Sequence, residues 1–135
     1  MNQPVQPQIV AGQAMRKALH EAGSRPLLLN HRGQQRTGTE LAARIDRLAS
    51  ALAAHGLGGR RIGLAYRNSL AAFEAFLAVE WLGATRVPVD PDLPPAEARA
   101  IYAAAAVDAV LADEEHGAHM SEALVHDDDN PLQGD

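Results

Sequence analysis

The sequence contains no cysteine. Disulfides, thiolate nucleophiles and cysteine-based metal sites are thereby excluded, and the absence suits a cytoplasmic location. Aromatic residues make up only 4% of the chain. With 47% of residues hydrophobic, a core is available, but it must be built from Ala, Leu and Val. Small side chains each bury little area, at ~25 cal/mol per Å² of apolar surface, so marginal stability is expected of the isolated chain. Lysine is nearly missing as well: Lys17 stands alone among twelve basic residues. No apolar run approaches the ~18 residues of a membrane span. The stretch from Met1 to Ile9 is polar with two prolines and has neither the basic nor the apolar part of a secretory signal.

A length of 135 residues fits one domain or one large subdomain. The net charge of −5 is unevenly spread. From Asp113 onward there are eight acids and no Lys or Arg, which leaves nine acids against twelve bases before it. The reading is a mildly basic body, residues 1–112, and an acidic, flexible tail, residues 113–135.

Periodicity orders the body. Gln8 to Ala22 reads as a helix with Val10, Ala14, Ala18 and Leu19 on one face, ended by Gly23. Pro26 to Asn30 and Gln35 to Thr37 read as a β-hairpin around His31-Arg32-Gly33-Gln34. Thr37-Gly38-Thr39-Glu40 has capping-box spacing. The helix behind it carries a Leu41, Ile45, Leu48, Leu52 stripe, with Glu40 and Arg44 at i, i+4 on its solvent side. Arg61 to Tyr66 reads as a strand, and Asn68 or Ser69 caps a nearly all-apolar helix, Leu70 to Leu82. Thr85 to Val89 is the next strand. Pro95 suits the first position of a helix running to Ala106, and Asp108 to Ala112 is a further strand. Strands alternating with helices make the fold class α/β, a parallel βαβαβ sheet preceded by a helix and a hairpin.

Few residues stand out as chemistry. Gly56, Gly58 and Gly59 precede a strand rather than follow one, so they read as a helix stop and not a phosphate cradle. His116 and His119, with Glu115, Glu122 and His126 near in sequence, have the donor types of a zinc site. Gly117 between them and the aperiodic surroundings favour a solvated polar segment, and no metal site is assigned. Asp127-Asp128-Asp129 lacks the alternation, glycine and distal glutamate of a calcium loop and reads as an acidic linker. Arg60, Arg61 and Arg67 flank one strand without the aromatic neighbours of a nucleic-acid surface, so neither nucleic acid nor membrane is expected as a partner. Ser69 reads as a cap and Trp81 as core. Asp90, between Val89 and Pro91, is the substrate-region candidate. A carboxylate just past a parallel strand sits where ligands bind in such sheets, or else caps a turn or pairs with an arginine.

Two stretches resemble the opening motifs of the AMP-forming acyl-activating superfamily, which includes acyl-CoA synthetases, luciferases and the adenylation domains of nonribosomal peptide synthetases. The first is Thr37-Gly38-Thr39-Glu40-Leu41, with Gly38 where an aromatic residue is usual. The second is Leu82-Gly83-Ala84-Thr85-Arg86-Val87-Pro88-Val89-Asp90-Pro91. Arg61-Ile62-Gly63-Leu64, Leu93-Pro94-Pro95-Ala96-Glu97 and Val110-Leu111-Ala112 fall in the matching order, so the resemblance runs from about Arg16 to Asp113. It implies the N-terminal part of an ATP-dependent ligase. The family's phosphate loop, rich in Ser, Thr and Gly and ending in Pro-Lys-Gly, is not in this sequence, and no lysine follows Lys17. No catalytic or cofactor-binding residue is therefore carried over. ATP and Mg are expected of the full-length family rather than of this chain. The implied partners are the remainder of an acyl-activating enzyme or a second copy.

Overall fold

The structure, a computed structural model, describes residues 7–118, 120 and 122–133, with side chains from residue 12 onward. Helix α1 runs Pro7–Ala22, and the hairpin strands are β1, Pro26–Leu29, and β2, Gln35–Thr37. Helix α2 follows at once, Gly38–Ala54. Its first turn is closed by the expected capping box: the Thr37 hydroxyl accepts the Glu40 N–H at 3.1 Å, and the Glu40 carboxylate accepts the Thr37 N–H at 3.1 Å. Gly38 is required for a close approach. A Cβ there would stand 2.3 Å from the Leu19 carbonyl oxygen of α1.

The central unit is β3, Arg61–Ala65; α3, Leu70–Trp81; β4, Thr85–Pro88; α4, Pro95–Ala104; and β5, Ala109–Ala112. A single turn, α5, Glu114–Gly117, leads to β6, Leu124–Val125. The sheet order is β4-β3-β5-β6 and every pairing is parallel. The α/β class, the βαβαβ centre and the preceding helix and hairpin are thus as the sequence reads.

Strand alternation divides the core in two. Ile62, Leu64 and Leu111 face the large cluster with Leu41, Ile45, Leu48 and Leu52 of α2 and Ala71, Ala75, Ala78 and Val79 of α3. Val110 faces the other way, into a small cluster with Ala98 and Tyr102 of α4 and Met120. The crossover from β3 to β4 and that from β4 to β5 run in opposite directions across the sheet. Connections of one hand then place α3 and α4 on opposite faces, which is where they are. Gly63 lies under the Tyr102 ring, and a Cβ there would come within 2.4 Å of it.

Two expectations are corrected. In α1 the buried positions are Gly12, Leu19 and Ala22, with Met15 half-buried, whereas Ala14 and Ala18 are exposed. Alanine marks a helix face weakly, and the true face is set by the approach of Gly12 to Trp81. The side chain of Val10 lies outside the described ones. The second correction concerns the acidic segment. Residues 122–133 are packed onto the body: β6 pairs Leu111 with Leu124 and Ala112 with Val125, and His126, Asp128 and Leu132 are buried. Asp135 lies outside the described residues. Low hydrophobicity points to solvent only where acids lack donors, and here each acid of the Asp127–Asp129 run has one.

Candidate functional site

Connections leaving β3 and β5 head to opposite sides of the sheet, so the carboxyl ends of these adjacent strands bound a crevice, the usual ligand position in an open parallel sheet. A cleft of about 320 Å³ opens there, lined by Ala65, Arg67, Asp90, Leu93, Tyr102 and His116 among others. Asp90 is exposed on its wall, and its Oδ1 accepts the Asp92 N–H at 2.9 Å, a turn-capping bond. Arg67 spans the rim, 2.9 Å from Asp92 and 3.2 Å from Glu115. Deeper in, His116 and Asp113 form a buried pair through Nδ1 and Oδ1, and the other Asp113 oxygen accepts the Arg67 N–H at 3.1 Å. Asp113 also caps α5 by accepting the His116 N–H. Burial pushes the Tyr102 phenol up to about 12, and its hydroxyl has no hydrogen-bond partner among the described residues.

The other sequence candidates settle into structural roles. Gly56 and Gly59, at φ 75° and 70°, turn the chain between α2 and β3. The Ser69 hydroxyl accepts the Ala72 N–H at the start of α3. Trp81 is half-buried, with the Arg16 guanidinium 4.0 Å above its ring. Arg61 donates to the Ala105 carbonyl, and its N–H binds Asp108. Lys17 pairs with Glu21 on the surface. His119 lies outside the described residues. Among the described residues, no group of three His or acidic side chains could hold a metal ion.

A second constellation was not legible in the sequence. Glu74, on α3, is fully buried. One carboxylate oxygen takes Arg36 Nε at 3.2 Å and Arg44 Nε, and the other faces His126 Nε2 at 3.1 Å. Arg44 is therefore turned inward rather than to solvent, as its i, i+4 spacing from Glu40 had implied. Burial pushes the Glu74 carboxyl up, but the hydrogen bonds from His126 and Arg44, and the charge of Arg44, outweigh it and hold it below the usual range. Arg36 and Arg44 also donate to the main-chain carbonyls of Asp127 and Asp128. Asp128 reaches back to accept the Ala71 N–H of α3 at 2.7 Å and Asn30 Nδ2 at 3.2 Å. Asp127 accepts the Glu114 N–H, and Asp129 binds Arg32 and Gln34. Tyr66 donates its hydroxyl to the His126 carbonyl at 2.9 Å. Burial pushes this phenol well above its ordinary range, with Asp113 and Asp127 adding to the effect. The signal available in the sequence was Glu74 itself, one of two acids in an otherwise apolar helix.

Residues 13–134 match the profile of the AMP-binding enzyme family. The chain belongs to that family. No curated protein matches it. Among solved structures it is similar to a benzoate CoA ligase from Burkholderia xenovorans, with TM-score 0.76 and 23% identity over 90% of this chain and 26% of that one. It is similar to O-succinylbenzoate coenzyme A synthetase (MenE) from Bacillus subtilis, in complex with AMP, with TM-score 0.70 and 20% identity over 82% of this chain and 30% of that one. The Klebsiella oxytoca NpsA N-terminal subdomain, in complex with anthranilyl-AMSN, gives TM-score 0.68 and 21% identity over 75% and 27%. At these identities the likeness is one of fold. The chain spans less than a third of the length of each of these proteins.

Membership of the AMP-binding family raises the question of a nucleotide. Phosphates are held by unpaired N–H groups at helix starts and by cationic side chains. Here the first turn of α2 is capped by Thr37 and that of α3 by both Ser69 and Asp128, whereas α4, which opens onto the cleft at Pro94 and Pro95, has no side-chain cap. The cleft rim carries Asp90, Asp92 and Glu115, and its one arginine is paired to two of them. Among the described residues, the rim therefore offers a nucleotide phosphate no unpaired arginine.

Proposed function

We propose that this chain is the N-terminal part, or a truncated homologue, of an ATP-dependent, AMP-forming acyl- or aminoacyl-activating ligase. In this reading it supports the acid-binding region and is not catalytic by itself. The observation that carries the reading is the family match over residues 13–134 combined with a span of less than a third of the similar structures. Asp90 is the residue of this chain assigned to the substrate region, since it stands on the cleft at the carboxyl edge of the sheet. ATP and Mg belong to the remainder of such an enzyme, and a cytoplasmic setting fits the cysteine-free sequence. No described helix is long and apolar enough to cross a membrane.

A groove supports the partner half of the reading. It is lined by Leu28, Leu29, Phe73, Phe76 and Leu77, with Leu29 67% and Phe73 45% exposed. Both phenylalanines of the chain line this one place. Exposed apolar area of this kind is a contact surface, for the rest of a ligase or for a second copy. The same groove favours the second reading, a stand-alone interaction module derived from the family.

The test is pyrophosphate release from ATP and Mg with a panel of aryl, fatty and amino acids. The chain alone is expected to release none. A chain extended along the reading frame beyond the codon for Asp135 is expected to gain activity if a phosphate loop follows there. Turnover by the 135-residue chain itself overturns the proposal.

A further inference from the structure

The segment from Val125 to Leu132 is fastened almost wholly by polar contacts, and His126 stands at their centre. The ring is buried to 1% exposure and both of its nitrogens are engaged. Nδ1 accepts the N–H of Leu132 at 3.1 Å, so it carries no proton. Nε2 therefore holds the ring proton and gives it to Glu74 at 3.1 Å. The backbone of the same residue is held too, its N–H by the Ala112 carbonyl and its carbonyl by Tyr66.

We propose that His126 is a protonation-sensitive latch, which fastens residues 126–132 to the body when neutral and frees the Leu132 end when it takes a second proton. The reason is stereochemical. A proton on Nδ1 points at the Leu132 N–H, two donors meet, and the buried position admits no water to stand between them. The Leu132 side chain, itself part of the large core, must then withdraw with its backbone. The groups facing the ring come from four directions. Glu74 of α3 favours the charged ring. Arg44 of α2 and Arg36 of β2, both on the other Glu74 oxygen, oppose it. Tyr66, just past β3, holds the carbonyl whatever the ring's charge, and Asp128 anchors the next turn through Ala71 and Asn30. Release is therefore confined to the far end of the segment, between the Asp128 anchor and Leu132. This device lies outside the catalytic reading above and does not depend on it.

The experiment is NMR on the complete 135-residue chain between about pH 8 and about pH 5, the span in which a histidine ordinarily titrates. Ring ¹⁵N shifts report the state of His126, and amide exchange, corrected for its intrinsic pH dependence, reports Leu132 and Ala71. The expected result is an Nε2–H ring at the upper pH. As the ring protonates, protection of Leu132 should fall about tenfold, the loss of one buried hydrogen bond, while Ala71 holds. The fall should move to lower pH in Glu74→Gln, where the arginines oppose the charged ring without the carboxylate, and vanish in His126→Gln. A ring that stays neutral to the lower limit overturns the latch. So does a ring that titrates while Leu132 keeps its protection, or an equal fall in His126→Gln. Should either variant fail to fold, the ring and amide readings on the unmodified chain decide alone.

Discussion

Tyr102 shows what one side chain does when packing and hydrogen bonding disagree. Its ring seals the second face of the sheet over Gly63, while its hydroxyl is left without a partner among the described residues. An unmet buried hydroxyl costs about 1 kcal/mol or more. Tyr102→Phe is therefore expected to leave stability unchanged or raise it by about 1 kcal/mol in urea unfolding, and a clear loss would mean that the hydroxyl has a partner. Glu74 is the opposite case, with three donors on its two oxygens. Removing one member of a buried ion pair costs about 3 kcal/mol or more, so Glu74→Gln should lower stability by that order at neutral pH. The sign with pH follows from a carboxyl held below its usual range. Its contribution is complete above the ordinary carboxylate value, about 4.3, and is lost as pH falls through the lower folded value. Acid titration of stability should accordingly be shallower in Glu74→Gln than in the unmodified chain. The sequence showed Glu74 as an acid on an apolar helix but named none of its partners, because Arg36, Arg44 and His126 lie 38, 30 and 52 residues away.

Helices and strands were legible almost throughout, because each carries its own start and stop. Thr37 with Glu40, Ser69 before α3 and Pro95 at the first turn of α4 all act where the sequence places them. The end of α4 is an exception that invites a test. Ala106 adopts φ 54°, a left-handed conformation that favours glycine, and the N–H groups of Ala106 and Val107 return to the carbonyls of Ala103 and Tyr102. Ala106→Gly should relieve this and raise the thermal midpoint, by an amount equivalent to about 1 kcal/mol. A lowered midpoint would show that the alanine methyl packs usefully there. β6 was not legible at all. It is two residues long and sits in an acidic stretch, and its pairing depends on Asp127–Asp129 finding donors on three other elements.

For the molecule as a whole, the exposed groove of Leu29 and Phe73 is where the proposed contact surface can be tested. Leu29→Asp is expected to reduce self-association, read by light scattering over a concentration series, without changing the circular dichroism spectrum. An unmodified chain that stays monomeric at high concentration removes the second copy as a partner. The family was legible because its motifs lie at the start of α2 and along the βαβαβ unit that builds the sheet. Asp90 reaches the cleft wall from its place just past β4, whereas Arg67, Asp113 and His116 meet there through sheet order. One consequence follows from the polar fastening of the last segment. A ribosome delivers the chain from its amino end, so Glu74 and its two arginines are made well before His126 and Asp128 exist. During that interval α3 lacks half of its N-terminal cap and a buried acid lacks its histidine. The nascent body must wait, loosely assembled and open to chaperones, until some fifty more residues have been synthesised.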